Sequence, residues 1–197
     1  MTPLAYKPIY TSPEYLALER EAEFKSELIH GEMYAMSGAS REHNIVAGNA
    51  FAIVHAHLAG RPCEVYGDNM RVKISDTGAC LYPDLVVACG DIEFEDAEVD
   101  TLVNPVLVIE VLSPSTEAFD RGAKFGHYRR LPSLQEYVLI AQDRPSVQRY
   151  LRQGDVWVWT EADEMEGAME LPSIGCSLPL SAVYAKVSFE AEAVAAE

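Results

Sequence analysis

The sequence predicts an α/β (α+β) fold, a mixed β-sheet flanked by helices in a single domain. Two short, β-rich apolar runs, LYPDLVVA (81–88) and PVLVIEVL (105–112), read as central buried strands. Residues 40–60 carry apolar positions at 45, 46, 50, 53, 54 and 58, the spacing of an amphipathic helix. Helical and strand patterns then alternate along 197 residues, a length that suits one core.

The elements follow in order. Residues 13–21 read as a short helix with Ser12 as N-cap and Pro13 at its first position. LIHGEMYAM (28–36) reads as a strand with a turn at His30-Gly31. Ser40 caps the long helix, and Gly60 and Pro62 stop it. CEVYGDNMRVKI (63–74) alternates like a strand with a bulge or turn at Gly67. TEAFDRGAKFGHYRRL (116–131) is a helix that ends before Pro132, and EYVLI (136–140) is a further strand. SVQRYLRQGDVWVWT (146–160) alternates on both sides of Gln153-Gly154-Asp155, which reads as a β-hairpin. The domain is expected over 10–185, followed by a frayed tail over 186–197.

Composition narrows the function classes. Thirty-one acids against 15 bases give a net charge of −16, which argues against nonspecific coating of nucleic acid. No apolar run is long enough to cross a bilayer, and the first residues lack the basic and apolar regions of a secretory signal. Four scattered cysteines (Cys63, Cys80, Cys89, Cys176) argue against a disulfide scaffold or a zinc ribbon and fit a reduced cytoplasm. The charge is uneven. Residues 91–100 and 155–170 each hold six acids and no base, whereas 120–152 is net +4. That stretch is either an ordinary solvated surface or a positive face able to meet phosphates, with Arg121, Arg129 and Arg130 as the candidate contacts.

The most informative residue is Glu110, one carboxylate within Val106–Leu112 of otherwise apolar side chains. A charge buried there must be paired, protonated or bound to a cation. An ion pair to an arginine is the plain reading. Asp84 enters the preceding apolar strand after Pro83, and two carboxylates on adjacent strands can share one hard divalent cation such as Mg²⁺ or Mn²⁺. Asp120 and Lys124 are four apart on the next helix, hence on one face, where Lys124 can lean back over the strand ends. The serines at 113 and 115 lack a nucleophile elbow, and no phosphate-binding glycine loop occurs.

Two acids with a nearby lysine resemble the P-D…(D/E)-x-K nucleases, although Leu112 stands where the strand lysine would be. Within that superfamily the chain resembles the Uma family of "putative restriction endonucleases", over roughly residues 10–185. The matching text is GEMYAMSGASREHNIVAGNAF, then YPDLVV, then PVLVIEVLSPSTEAFDRGAKFGHYRRLPSLQEYVLI, then GCSLPLSAVY. The resemblance implies a restriction-endonuclease-like fold, Asp84 and Glu110 as metal ligands, and Lys124, taken from the helix, as the catalytic lysine. It also implies a supporting group among Glu27, Glu32 and His43. His30 and the acidic loop 91–104 depart from the family pattern.

The expected function is therefore a Mg²⁺- or Mn²⁺-dependent phosphodiesterase acting on DNA, an endonuclease in which Asp120 positions Lys124. Double-strand cleavage would call for a homodimer. The alternative, favoured by the −16 charge, is a catalytically idle or protein-binding domain that keeps the fold.

Overall fold

The computed structural model describes residues 8–189; residues 190–197 of the expected tail lie outside them. Helix α1 (Ser12–Glu19) is followed by strands β1 (Ser26–Ile29) and β2 (Glu32–Ala35), and then by helix α2 (Arg41–Leu58). Strands β3 (Cys63–Gly67), β4 (Arg71–Ile74), β5 (Ala79–Leu81), β6 (Leu85–Cys89), β7 (Thr101–Leu102) and β8 (Leu107–Leu112) come next. A helix spanning 117–128, here α3, leads to β9 (Glu136–Ala141), β10 (Val147–Gln153), β11 (Val156–Ala162), β12 (Ala168–Leu171) and β13 (Cys176–Pro179).

The strands form two main sheets, where the sequence suggests one. The six-stranded sheet has the order β11-β10-β9-β8-β6-β3, and the five-stranded sheet the order β2-β1-β5-β4-β7. A β12-β13 ribbon completes the fold. The chain passes between the two sheets repeatedly, most abruptly after Gly67 between β3 and β4 and at Tyr82-Pro83-Asp84 between β5 and β6. Pro83 lacks the N–H that a continuing ladder needs, so the run 81–88 is a break followed by a strand. β8 is antiparallel to β6 and parallel to β9, which makes the larger sheet mixed.

Alternation along β8 separates two cores. Leu107, Ile109 and Val111 pack with Val46, Ala50 and Val54 of α2. Val108 and Leu112 pack against Val72, Ile74 and Leu81 of the smaller sheet. Each fully buried aliphatic side chain contributes roughly 1.5–3 kcal/mol. Glu110 shares its face with Val108 and Leu112, so it points between the two sheets.

Local chemistry explains the other elements. Ser40 accepts the His43 N–H at 3.0 Å and caps α2 as expected. At α1 the cap is Thr11, one residue earlier than the sequence suggests: Glu14 accepts from both the N–H and the hydroxyl of Thr11, at 2.8 and 2.7 Å. The His30-Gly31 turn joins β1 to β2 with both residues at positive φ, 50° and 81°. Helix α3 is not uniform. Asp120–Lys124 forms a π-helical turn between Glu117–Phe119 and Phe125–Tyr128. The cysteine reading is corrected: Cys63 and Cys89 face each other across β3 and β6 and form a disulfide, while Cys80 and Cys176 are free and buried. Among the described residues, no helix is long and apolar enough to cross a membrane.

Candidate active site

The β6–β8 register sets the first pair of residues. Leu85 opposes Ile109, so Asp84, one step earlier, comes opposite Glu110. Its Oδ2 accepts the Val111 N–H at 2.7 Å, which ties it to β8. Asp84 keeps access to the cleft, while Glu110 is buried.

The π turn supplies the third residue. It turns both Asp120 and Lys124 inward, and both are buried. The Tyr137 hydroxyl donates to the Asp120 carbonyl at 2.9 Å and anchors the turn. Lys124 Nζ lies 2.9 Å from Glu110 Oε1, 3.4 Å from Glu27 Oε1 and 3.7 Å from Asp120 Oδ1. It also donates to the Tyr82 carbonyl at 3.2 Å. The Tyr82 N–H donates to Glu27 Oε1 at 3.0 Å, so one residue of the sheet crossing holds both the lysine and its partner.

Glu110 and Lys124 are close enough to attract, yet the contact is off the hydrogen-bond direction, and Glu110 Oε1 is buried without an aligned donor. Burial pushes the Glu110 carboxyl well above the usual carboxylate range; Lys124 opposes this, and Asp120 and Asp84 add to it. Burial raises Asp120 too, again against Lys124. For Lys124, burial works against the charge, but Glu110, Glu27 and Asp120 together hold its pKa above the ordinary lysine value.

His43, in the first turn of α2, places Nε2 3.3 Å from Asp84 Oδ2. Burial disfavours its charge, but Asp84 outweighs burial and leaves its pKa raised. The supporting groups are therefore Glu27 at the lysine and His43 at the aspartate. Glu32 does not line the cleft; it accepts from the Tyr34 hydroxyl at 3.1 Å.

These side chains open on one cleft of about 970 Å³ between β1–β2, the start of α2, the sheet crossing and residues 113–120. Arg121, Arg129 and Arg130 do not line it. Arg121 pairs with Glu117 at 2.7 Å and with Gln148, and Arg130 pairs with Asp76 at 2.7 Å, while Arg129 is exposed elsewhere on the surface. The net +4 of 120–152 thus belongs to other faces of the molecule.

Asp84, Glu110 and Lys124 thus line one cleft. Residues 12–181 match the Uma2 family, described as "Putative restriction endonuclease". The chain belongs to this family. An uncharacterized Synechocystis protein, sll1609, is 38% identical over 162 residues, 82% of this chain and 92% of that protein. A second, slr1290, is 33% identical over 189 residues, 95% of this chain and 98% of its own length. The Uma2 fold recurs in the crystal structure of a "putative nuclease belonging to DUF820" from Anabaena variabilis. The TM-score is 0.72 at 20% identity, covering 90% of this chain and 99% of that one.

Proposed function

We propose that this Uma2 protein is a Mg²⁺- or Mn²⁺-dependent phosphodiesterase that cuts DNA internally. The observation that carries the reading is the convergence of Asp84, Glu110 and Lys124 at one cleft. Asp84 and Glu110 are the residues that would hold the cation, and their donor chemistry fits. Both offer hard carboxylate oxygens, and Glu110 Oε1 is buried with no aligned hydrogen bond, facing only the Lys124 ammonium at 2.9 Å. Among the described residues, no three His, Cys, Asp or Glu side chains form a complete metal cage. Mg²⁺ commonly takes one or two protein carboxylates and fills the remainder with water and substrate phosphate. When bound, such an ion supplies positive charge at the scissile phosphate.

The chain's own residues do the rest. Lys124 is the cationic group that neutralises charge developing on the phosphate's non-bridging oxygens. Glu27 and Asp120 hold its ammonium in place, and engaging the phosphate exchanges one anionic partner, Glu110, for another. His43 orients Asp84 from the opposite side. The reading carries a homodimer, since one site per chain cuts one strand, while the Cys63–Cys89 disulfide removes the cysteine argument for a cytoplasmic location.

A non-catalytic binding domain is the second reading, supported by the net charge of −16. Incubating purified protein with supercoiled plasmid or single-stranded DNA and Mg²⁺ or Mn²⁺, with and without EDTA, separates the two. Nicking that EDTA abolishes supports the nuclease; plasmid and single-stranded DNA both left intact under every condition support the binding domain.

A further inference from the structure

The cleft lacks the usual means of gripping a double helix. Among the described residues lining it are six carboxylates, Glu23, Glu27, Asp68, Asp84, Glu110 and Asp120, against two amines. Both amines are engaged, Lys25 with Asp68 at 2.9 Å and Lys124 with Glu110 at 2.9 Å. Duplex affinity comes chiefly from Lys and Arg side chains neutralising successive phosphates. This cleft cannot supply that term, and the three arginines of 121–130 face elsewhere.

The cleft offers aromatic surface instead. Phe24 lines it and is 77% exposed, the most exposed of the large apolar side chains. Tyr34 also lines it and is 47% exposed. β1–β2 pairing sets Tyr34 directly across from Glu27, so both stand on one face of the ribbon. That face reaches Lys124 through Glu27. Phe24 precedes β1, beside the end of the same ribbon, where Met36 N–H bonds to the Lys25 carbonyl at 2.9 Å. Two aromatic side chains therefore flank the approach to the catalytic cluster. Each keeps exposed ring area on the cleft that a ligand's flat face can cover.

We infer that the site takes a strand whose bases are unpaired at the scissile position, single-stranded DNA or a single-stranded region within a duplex, with bases stacked on Phe24 and Tyr34. Stacking on aromatic side chains is sequence-tolerant and needs no run of basic residues, so it suits an acidic cleft. In a duplex, stacking between successive base pairs hides these faces. This inference rests on the nuclease reading for the fate of the strand, but not for its binding.

The test measures binding and cleavage separately. A 2-aminopurine base is placed in a single-stranded DNA oligonucleotide and, in parallel, in its duplex; each is titrated with the wild-type protein in EDTA, which withholds the cation and keeps the strand intact. The single strand should show fluorescence quenching, and at least tenfold tighter binding than the duplex. Phe24→Ala and Tyr34→Ala should each weaken it roughly 10-fold, within the range for one lost stack. Tyr34→Phe should restore it, and Trp159→Ala, an exposed aromatic outside the cleft, should leave it alone. With Mg²⁺ present, the same two alanine variants should raise KM on single-stranded DNA by a similar factor. Quenching without any cleavage by the wild type would sink the nuclease reading and keep this inference. Cleavage of duplex as readily as of single strand, indifferent to Phe24 and Tyr34, would overturn this inference and keep the nuclease. Tighter binding of single-stranded RNA than of DNA, or of neither, would overturn it as well.

Discussion

Lys124 Nζ sits 2.9 Å from Glu110 Oε1, an ion pair buried between two sheets with no aligned hydrogen bond to complete it. Such a pair is costly to desolvate, and removing one partner exposes the cost of the other. Lys124→Met should therefore destabilise the protein, by about 3–5 kcal/mol if Glu110 stays ionised. Glu110 has a raised pKa in the fold, so below its unfolded value of about 4.5 it is neutral in both states and the penalty vanishes. The penalty grows as pH rises from there towards the folded value. Urea unfolding of both proteins from pH 5 to pH 8 should show a gap that widens with pH. A gap that is constant or narrows would mean that Glu110 is not the group left uncompensated.

His43 offers a second titration. Its pKa is raised because Asp84 outweighs burial. The contact therefore contributes stability that is fully present below the unfolded histidine value, near 6.5, and is lost as pH rises through the higher folded value. In Asp84→Asn the carboxylate is gone and burial remains, so the His43 ring should titrate lower than in the wild type. NMR of the His43 ring protons in both proteins checks this. An unshifted ring in the variant would remove His43 from the site.

The Cys63–Cys89 disulfide joins facing residues 26 apart in sequence. Constraining a loop of that size in the unfolded chain is worth about 2–4 kcal/mol. The Cys63→Ser, Cys89→Ser double variant should lose that much in denaturant unfolding. Dithiothreitol should lower the wild-type melting temperature and leave the variant's unchanged. Equal sensitivity of the two proteins would mean that the bond contributes nothing.

Much of the site was legible before the structure, for a physical reason. A carboxylate inside an apolar run violates the pattern of a buried strand, and that violation marked Glu110; Pro83 before Asp84 marked the strand entry. The division into two sheets was not legible, because Pro83-Asp84 marks a strand entry without saying that the strand before it pairs in a different sheet. The π turn was also hidden, since Asp120 and Lys124 are four apart and read as one face of an ordinary helix. Glu27 could be named only as one of three candidates, because its role depends on β1 lying across the sheet crossing from Lys124. The arginines misled because a local charge count says nothing about direction; Arg121 and Arg130 turn to Glu117 and Asp76. The Cys63–Cys89 pairing needed the β3–β6 register.

The rate of plasmid nicking in the wild type against Asp84→Asn and Glu110→Gln, with folding verified by circular dichroism, tests the central claim most directly. Both changes keep shape and remove ligand charge. The wild type should nick with Mg²⁺ or Mn²⁺, each variant should lose nearly all of that rate, and Lys124→Ala should fall by roughly 10²–10³-fold. A wild type inert with both metals, or folded Asp84→Asn and Glu110→Gln proteins that cut at the wild-type rate, would contradict the account.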